Sequence, residues 1–151
     1  MNVKSPIVLF AYNRINHIQQ VIKALLRNEY ASDSDLIIYS DASKNDNTVQ
    51  EVQCVRQYLS TVSGFKSVKV IERLENFGLA KNIIDGVTSV VNQYGKVIVL
   101  EDDLVVSPYF LKYMNEALDL YEKEEKVISI HGYVYPVKRT LPETFFIKGA
   151  D

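Results

Sequence analysis

The chain has 151 residues, 17 basic and 19 acidic side chains, a net charge of −2 and 47% apolar residues. At roughly 100–200 residues per domain that is one unit, able to bury a core without a metal or disulfide staple. The near-balanced charge excludes a basic field for gripping nucleic acid, and the single cysteine, Cys54, excludes a disulfide framework or a cysteine-rich zinc site.

In chain order, the run Ile7 to Tyr12 is short, apolar and rich in β-branched residues, and predicts a strand. Ile15, Ile18, Val21, Ile22, Leu25 and Leu26 follow one helix face. A second strand is predicted over Leu36 to Tyr39. A second helix carries Val49, Val52, Val55, Leu59 and Val62, with Thr48 and Glu51 spaced as a capping box. Cys54 lies beside that apolar face and reads as packing. A third strand is predicted over Val68 to Ile71, and a third helix over Leu79 to Val91. A fourth strand covers Val97 to Leu100. The fourth helix opens at Ser107-Pro108, a cap followed by proline at the first helical position. Val127 to Ile130 predicts a weaker fifth strand, and Thr144 to Ile147 one more.

Strands alternating with helices predict an α/β fold, a mostly parallel central sheet flanked by helices. Continuous apolar runs predict strands buried on both faces. No apolar run reaches the ~18 residues of a membrane span. The lone cysteine fits a reducing compartment, so the expected location is cytoplasmic, including the cytoplasmic membrane face.

In an open parallel sheet, ligands bind beyond the carboxyl ends of the strands. Ala11, Asn13 and Arg14 close the first strand, Asp41 the second, Arg73, Asn76 and Gly78 the third, and Glu101-Asp102-Asp103 the fourth. Three adjacent carboxylates after a buried strand repel one another without a cation, and hard oxygen ligands suit Mg²⁺ or Mn²⁺. The plain alternative is a solvated acidic turn. Asp41 is either a hydrogen-bond acceptor for a base or ribose, or a turn and cap residue. Arg14 and Arg73 are either diphosphate ligands or surface arginines. Gly78, Asn82 and Gly86 lie four apart along one helix face. That stripe admits a close ligand or, for Gly86, tight helix–sheet packing. His17 reads as a surface residue, and His131 as a hydrogen-bonded structural one. No G-x-G-x-x-G follows the first strand, no P-loop lysine is present, and no G-x-S-x-G elbow occurs.

The run Pro6 to Arg14 resembles the first strand and turn of family 2 glycosyltransferases, which have the GT-A fold. Asn76-Phe77-Gly78-Leu79-Ala80-Lys81-Asn82 is similar to that family's N-x-G-x-(A/S)-x-x-N region. Glu101-Asp102-Asp103 stands where the family has its D-x-D motif. Its spelling, and the Ser107-Pro108-Tyr109-Phe110 that follows, resemble N-acetylglucosaminyltransferase I and its relatives. The resemblance covers residues 5 to 135. It implies a Rossmann-like, nucleotide-sugar-binding GT-A half spanning 1–151, cut before the acceptor-binding region. It implies that Asp41 contacts the base, Arg14 the diphosphate, and Glu101 and Asp102 the donor sugar and ribose. Asn76 and Gly78 shape the nucleotide loop, and Asp103 coordinates Mn²⁺ or Mg²⁺. Ala11, Asn13 and Arg73 complete the donor-binding set. The expected activity is metal-assisted sugar transfer from a nucleotide-sugar, a UDP-sugar, to a saccharide or lipid-linked acceptor. Neither Glu143 nor Asp151 falls where the family places its general base, so none is assigned. A non-catalytic nucleotide-sugar or partner-binding module, and a sugar nucleotidyltransferase, are the competing readings. The absence of glycine in Tyr12-Asn13-Arg14-Ile15-Asn16 argues against the latter.

Overall fold

The structure is a computed structural model, which describes residues 4–133. Strand β1 is Ile7–Ala11, β2 Asp35–Ser40, β3 Ser67–Glu72 and β4 Ile98–Glu101. Helix α1 is Ile15–Leu25, α2 Val49–Leu59, α3 Gly78–Tyr94 and α4 Phe110–Leu120. The strands form one parallel sheet in the order β3-β2-β1-β4. Ile7 to Phe10 pair with Leu36 to Tyr39 on one side and with Ile98 to Glu101 on the other.

The pleat sends alternate residues to opposite faces. Ile7, Leu9, Leu36, Ile38, Ile98 and Leu100 pack against Ile18, Ile22 and Leu25 of α1, Val55 and Leu59 of α2, and Leu111 and Met114 of α4. Val8, Phe10, Ile37 and Tyr39 face Val90, Ile83 and Val87 of α3. The described residues therefore form three layers, with three helices on one face and one on the other. Each wholly buried Leu or Ile stabilises this arrangement by about 1.5–3 kcal/mol.

Burial on both faces holds for the central strands β1 and β2. It fails for β3, half-exposed along its length, and for Val99 of β4, which is 38% exposed. Both are edge strands, and α3 covers the middle of its face rather than the β4 edge.

Residues 127–130 are not a strand. Ile128 is 95% exposed, and the Val127 N–H donates to Glu124 O in a turn. The β-branched run has strand propensity but forms no ladder with the open β4 edge among the described residues. Thr144 to Ile147, Tyr135, Glu143 and Asp151 lie outside the described residues.

Two helix starts differ from the sequence pattern. The Thr48–Glu51 capping box does not form. The Thr48 hydroxyl donates to Asn45 O, and Glu51 accepts from Asn13 Nδ2 at 2.6 Å. Helix α4 starts at Phe110, after Ser107-Pro108, because the Leu111 N–H finds its acceptor in Asn28 Oδ1 at 2.9 Å. Asn28, buried after α1, also donates to Ala24 O. Asn115 on α4 accepts from the Ser5 N–H at 2.9 Å. These two buried asparagines dock α4 beside the start of β1. Cys54 is exposed, and its neighbour Val55 takes the buried position instead.

Candidate functional site

Strand β1 lies at the point where the winding reverses, with β2 on one side and β4 on the other. The side-chain and loop crowding that covers a sheet elsewhere is split there, so a crevice opens beyond the carboxyl ends. A cleft of about 350 Å³ occupies it, within the range of small-molecule sites. Its walls are Phe10, Ala11, Tyr12 and Arg14 from β1 and its turn, and Asp41 and Lys44 after β2. Asn76, Gly78, Leu79 and Asn82 come from the start of α3, and Glu101 and Asp102 from the end of β4.

At the β2 side, Asp41 is 5% exposed. Its Oδ1 accepts from the Ala42 and Phe77 N–H groups, both at 2.9 Å. Its Oδ2 accepts from the Gly78 N–H at 2.9 Å and from Asn76 Nδ2 at 3.3 Å. A carboxylate has about four acceptor sites, and all are used. Asp41 thus caps the N-terminus of α3 from a neighbouring strand, where the helix dipole favours negative charge. Gly78 sits at φ +71°, which a side chain would strain, and it brings its N–H onto Asp41.

Behind this wall, a Cβ on Gly86 would lie 2.8 Å from Phe10 and 3.0 Å from Tyr39, whose rings stack at 5.6 Å. Gly86 is therefore a packing glycine. Asn82, also buried, accepts from Arg73 Nε at 3.0 Å.

At the β4 side, Asp102 is 5% exposed and accepts from Arg14 through both oxygens. Arg14 Nη2 also reaches Asp103 Oδ2 at 3.2 Å. The arginine immediately precedes α1 and projects across the cleft to the acidic turn. Asp102, chiefly through its hydrogen bond, raises the Arg14 pKa above its already high ordinary value, so the guanidinium stays charged.

Asp103 is half-exposed. Among the described residues, no three His, Cys, Asp or Glu side chains form a protein cage for a metal. The donor set is one accessible carboxylate beside a second, arginine-bound one. That fits Mg²⁺ or Mn²⁺, which take one or two protein oxygens and complete their shell with substrate phosphates and water.

Ala11, Arg14, Asp41, Asn76, Gly78, Glu101 and Asp102 thus come together around one cleft, with Asp103 beside Arg14. Asn13 and Arg73 do not line it. Asn13 is turned to Glu51. Arg73 is braced against the α3 side. Its guanidinium lies 4.8 Å from the Tyr39 ring and 4.4 Å from the Phe77 ring, and donates to Asp85 at 2.5 Å. Sequence reasoning missed Lys44 and Tyr12 as wall residues. Tyr12 Oη accepts from the Lys44 N–H and donates to Thr48, tethering the 41–48 loop to β1. It also missed Arg56, which donates to the carbonyls of Ser40, Asp41 and Arg73 and so ties the ends of β2 and β3. No local pattern marks a helix arginine for that task.

A parallel sheet with this order, winding and strand-end cleft has the architecture of the GT-A glycosyltransferases. Residues 7–142 match Glycosyl transferase family 2, and the chain belongs to that family. Solved structures share the fold. S. aureus TarS is 18% identical at a TM-score of 0.54, over 79% of this chain and 20% of that one. TarS 1-349 in complex with UDP-GlcNAc is 17% identical at 0.55, over 79% and 32%. The mannosyltransferase PcManGT from Pyrobaculum calidifontis, in complex with GDP-Man and Mn²⁺, is 14% identical at 0.54, over 76% and 32%. The chain thus spans a third or less of the length of these structures. No curated protein matches it. No helix among the described residues is long and apolar enough to cross a membrane.

Proposed function

We propose that this chain binds a UDP-sugar in the β1/β4 crevice and contributes the donor half of a metal-assisted glycosyltransferase. The acceptor in this reading is a saccharide or a lipid-linked acceptor. The observation that carries it is the pairing of an acidic turn with Arg14 at the topological switch point of a family 2 chain. The E-D-D spelling, with its resemblance to N-acetylglucosaminyltransferase I relatives, supports a UDP-linked donor. So does TarS, whose structure holds UDP-GlcNAc, whereas PcManGT holds GDP-Man.

In this reading the base lies against the Asp41–Asn76–Gly78 wall. The Asn76 contact is the longest of Asp41's four, and Asn76 Nδ2 also donates to Ala42 O at 2.6 Å, so a base N–H takes the place at Asp41 Oδ2 while Asn76 stays on Ala42. Arg14 meets the diphosphate, and Asp103 holds the divalent cation. Glu101 and Asp102 face ribose and donor sugar, with Asn13 and Arg73 supporting the loops around them. A divalent cation held by Asp103 would supply neutralisation of the charge on the departing nucleoside diphosphate. The acceptor hydroxyl oxygen bonds to the anomeric carbon as the bond from that carbon to phosphate oxygen breaks. The hydroxyl proton leaves to a base.

Calorimetry with UDP, GDP and UDP-GlcNAc, with and without Mn²⁺, tests this. Mn²⁺-dependent binding of UDP, lost in Asp103→Asn with an unchanged melting temperature, is the expected result. Binding of GDP alone overturns the UDP assignment, and no binding of any of the three overturns the reading. Slow hydrolysis of UDP-GlcNAc to UDP separates an enzyme from a binding module.

A further inference from the structure

We propose that Arg14 is an exchangeable counter-ion of Asp103, which a divalent cation must displace, and that this exchange ties cation binding to the arrival of the donor diphosphate. The inference rests on the donor-binding reading above and adds the regulation of that same site.

The two contacts of Arg14 are unequal. Asp102 is buried and grips the guanidinium at two points, through Nε and Nη2. Releasing it would leave a buried carboxylate without its partner, which is costly. The Asp103 contact is a single one at 3.2 Å between side chains 46% and 48% exposed. Solvent screens such a pair, and it contributes little. Arg14 therefore stays on Asp102 and yields Asp103.

Geometry then sets the coupling. A cation that takes Asp103 arrives beside a guanidinium that cannot leave, so two positive charges face each other. A diphosphate resolves this, because its oxygens serve both. Arg14 Nη1, which takes no part in the contacts to Asp102 and Asp103, is available to donate to it. A bare cation is thus disfavoured, and a cation arriving with a nucleoside diphosphate is favoured. By linkage, each raises the affinity of the other by the same factor.

The test measures Mn²⁺ binding to the whole chain by the loss of the free-ion paramagnetic resonance signal, with and without UDP. Wild type binds Mn²⁺ weakly alone and at least tenfold more tightly with saturating UDP. Arg14→Gln binds Mn²⁺ alone about threefold more tightly, the size of one partly exposed counter-ion, and loses most of the UDP-induced gain. Arg14→Lys keeps the charge without the fork and falls between them. It carries the test if the glutamine variant fails to melt cooperatively. Unchanged or weaker Mn²⁺ binding by the variants, while UDP still binds wild type with Mn²⁺, overturns this inference alone. Absence of UDP binding to wild type overturns the donor-binding reading with it.

Discussion

The two ends of the cleft each bury a carboxylate to the same depth, yet neutralise it differently. Asp41 is satisfied by neutral donors, three backbone N–H groups fixed by the 41–42 and 77–78 backbone and the side-chain amide of Asn76. Asp102 is satisfied by a charged guanidinium on a half-exposed side chain that also touches Asp103. Backbone donors cannot leave without unwinding α3. A guanidinium can shift its outer contact by rotating a side chain. The first end is a fixed wall, and the second is a rearrangeable charge cluster.

The strongest way to break this contrast is one isosteric substitution made at each end. Asp41→Asn turns an acceptor into a donor facing N–H groups, and leaves at least one of them unsatisfied. It should cost about 2 kcal/mol, a fall of roughly 4–8 °C in melting temperature for a chain of this size. Asp103→Asn should move melting by less than about 0.5 kcal/mol. Equal losses at both ends would show that the acidic turn is as structural as Asp41. A slightly smaller effect sharpens the view of the fixed wall. Gly86→Ala pushes a methyl into the stacked Phe10 and Tyr39 rings and should destabilise by about 1–2 kcal/mol. A neutral result would mean that the rings yield and the wall is soft.

The smallest effect supplies a reference carboxylate outside the cleft. Asp35, at the start of β2, accepts from Ser67 at 2.6 Å and from Lys66 at 3.1 Å. The Ser67 hydroxyl first, and Lys66 after it, hold its pKa below the usual carboxylate value. A lowered folded-state pKa stabilises above the unfolded value and is lost as pH falls through the folded one. Denaturant titrations of wild type against Asp35→Asn should therefore separate by less than about 1 kcal/mol at pH 7 and draw together as pH falls below the ordinary Asp value of about 3.9. A gap that persists in acid would assign the difference to packing.

The central layers were legible because β1 and β2 are buried on both faces and α1 carries an apolar face, whereas the buried face of α3 includes Asn82 and Gly86. Those patterns are local and strong. The strand-end rule also gathered Arg14, Asp41, Asn76, Gly78, Glu101 and Asp102 before any coordinates, since parallel topology alone places them. What failed depended on partners distant in sequence. Asn28 Oδ1, rather than the Ser107 hydroxyl, became the side-chain acceptor at the start of α4, while Ser107 O accepts from the Phe110 N–H. Glu51 went to Asn13 rather than to its own helix end. Arg73 went to the Tyr39 and Phe77 rings rather than to the cleft. Residues 127–130 turn back on Glu124 and pair with no strand among the described residues. A single polar residue carries no sign of which remote group it will choose.

The arrangement of the strands has a consequence for the order of assembly. The acidic turn meets Arg14 across a separation of 88 residues, and α4 meets Asn28 across 83. On a chain emerging from the ribosome, β1, β2 and β3 can pair, and Asp41 can cap α3, while β4 is still being made. Only then does the edge strand β4 slot beside β1, and α4 reach back to Asn28 and Ser5, closing loops longer than those between β1, β2 and β3. The cleft is therefore completed late, and the rigid end serves as the template on which the charged end is hung.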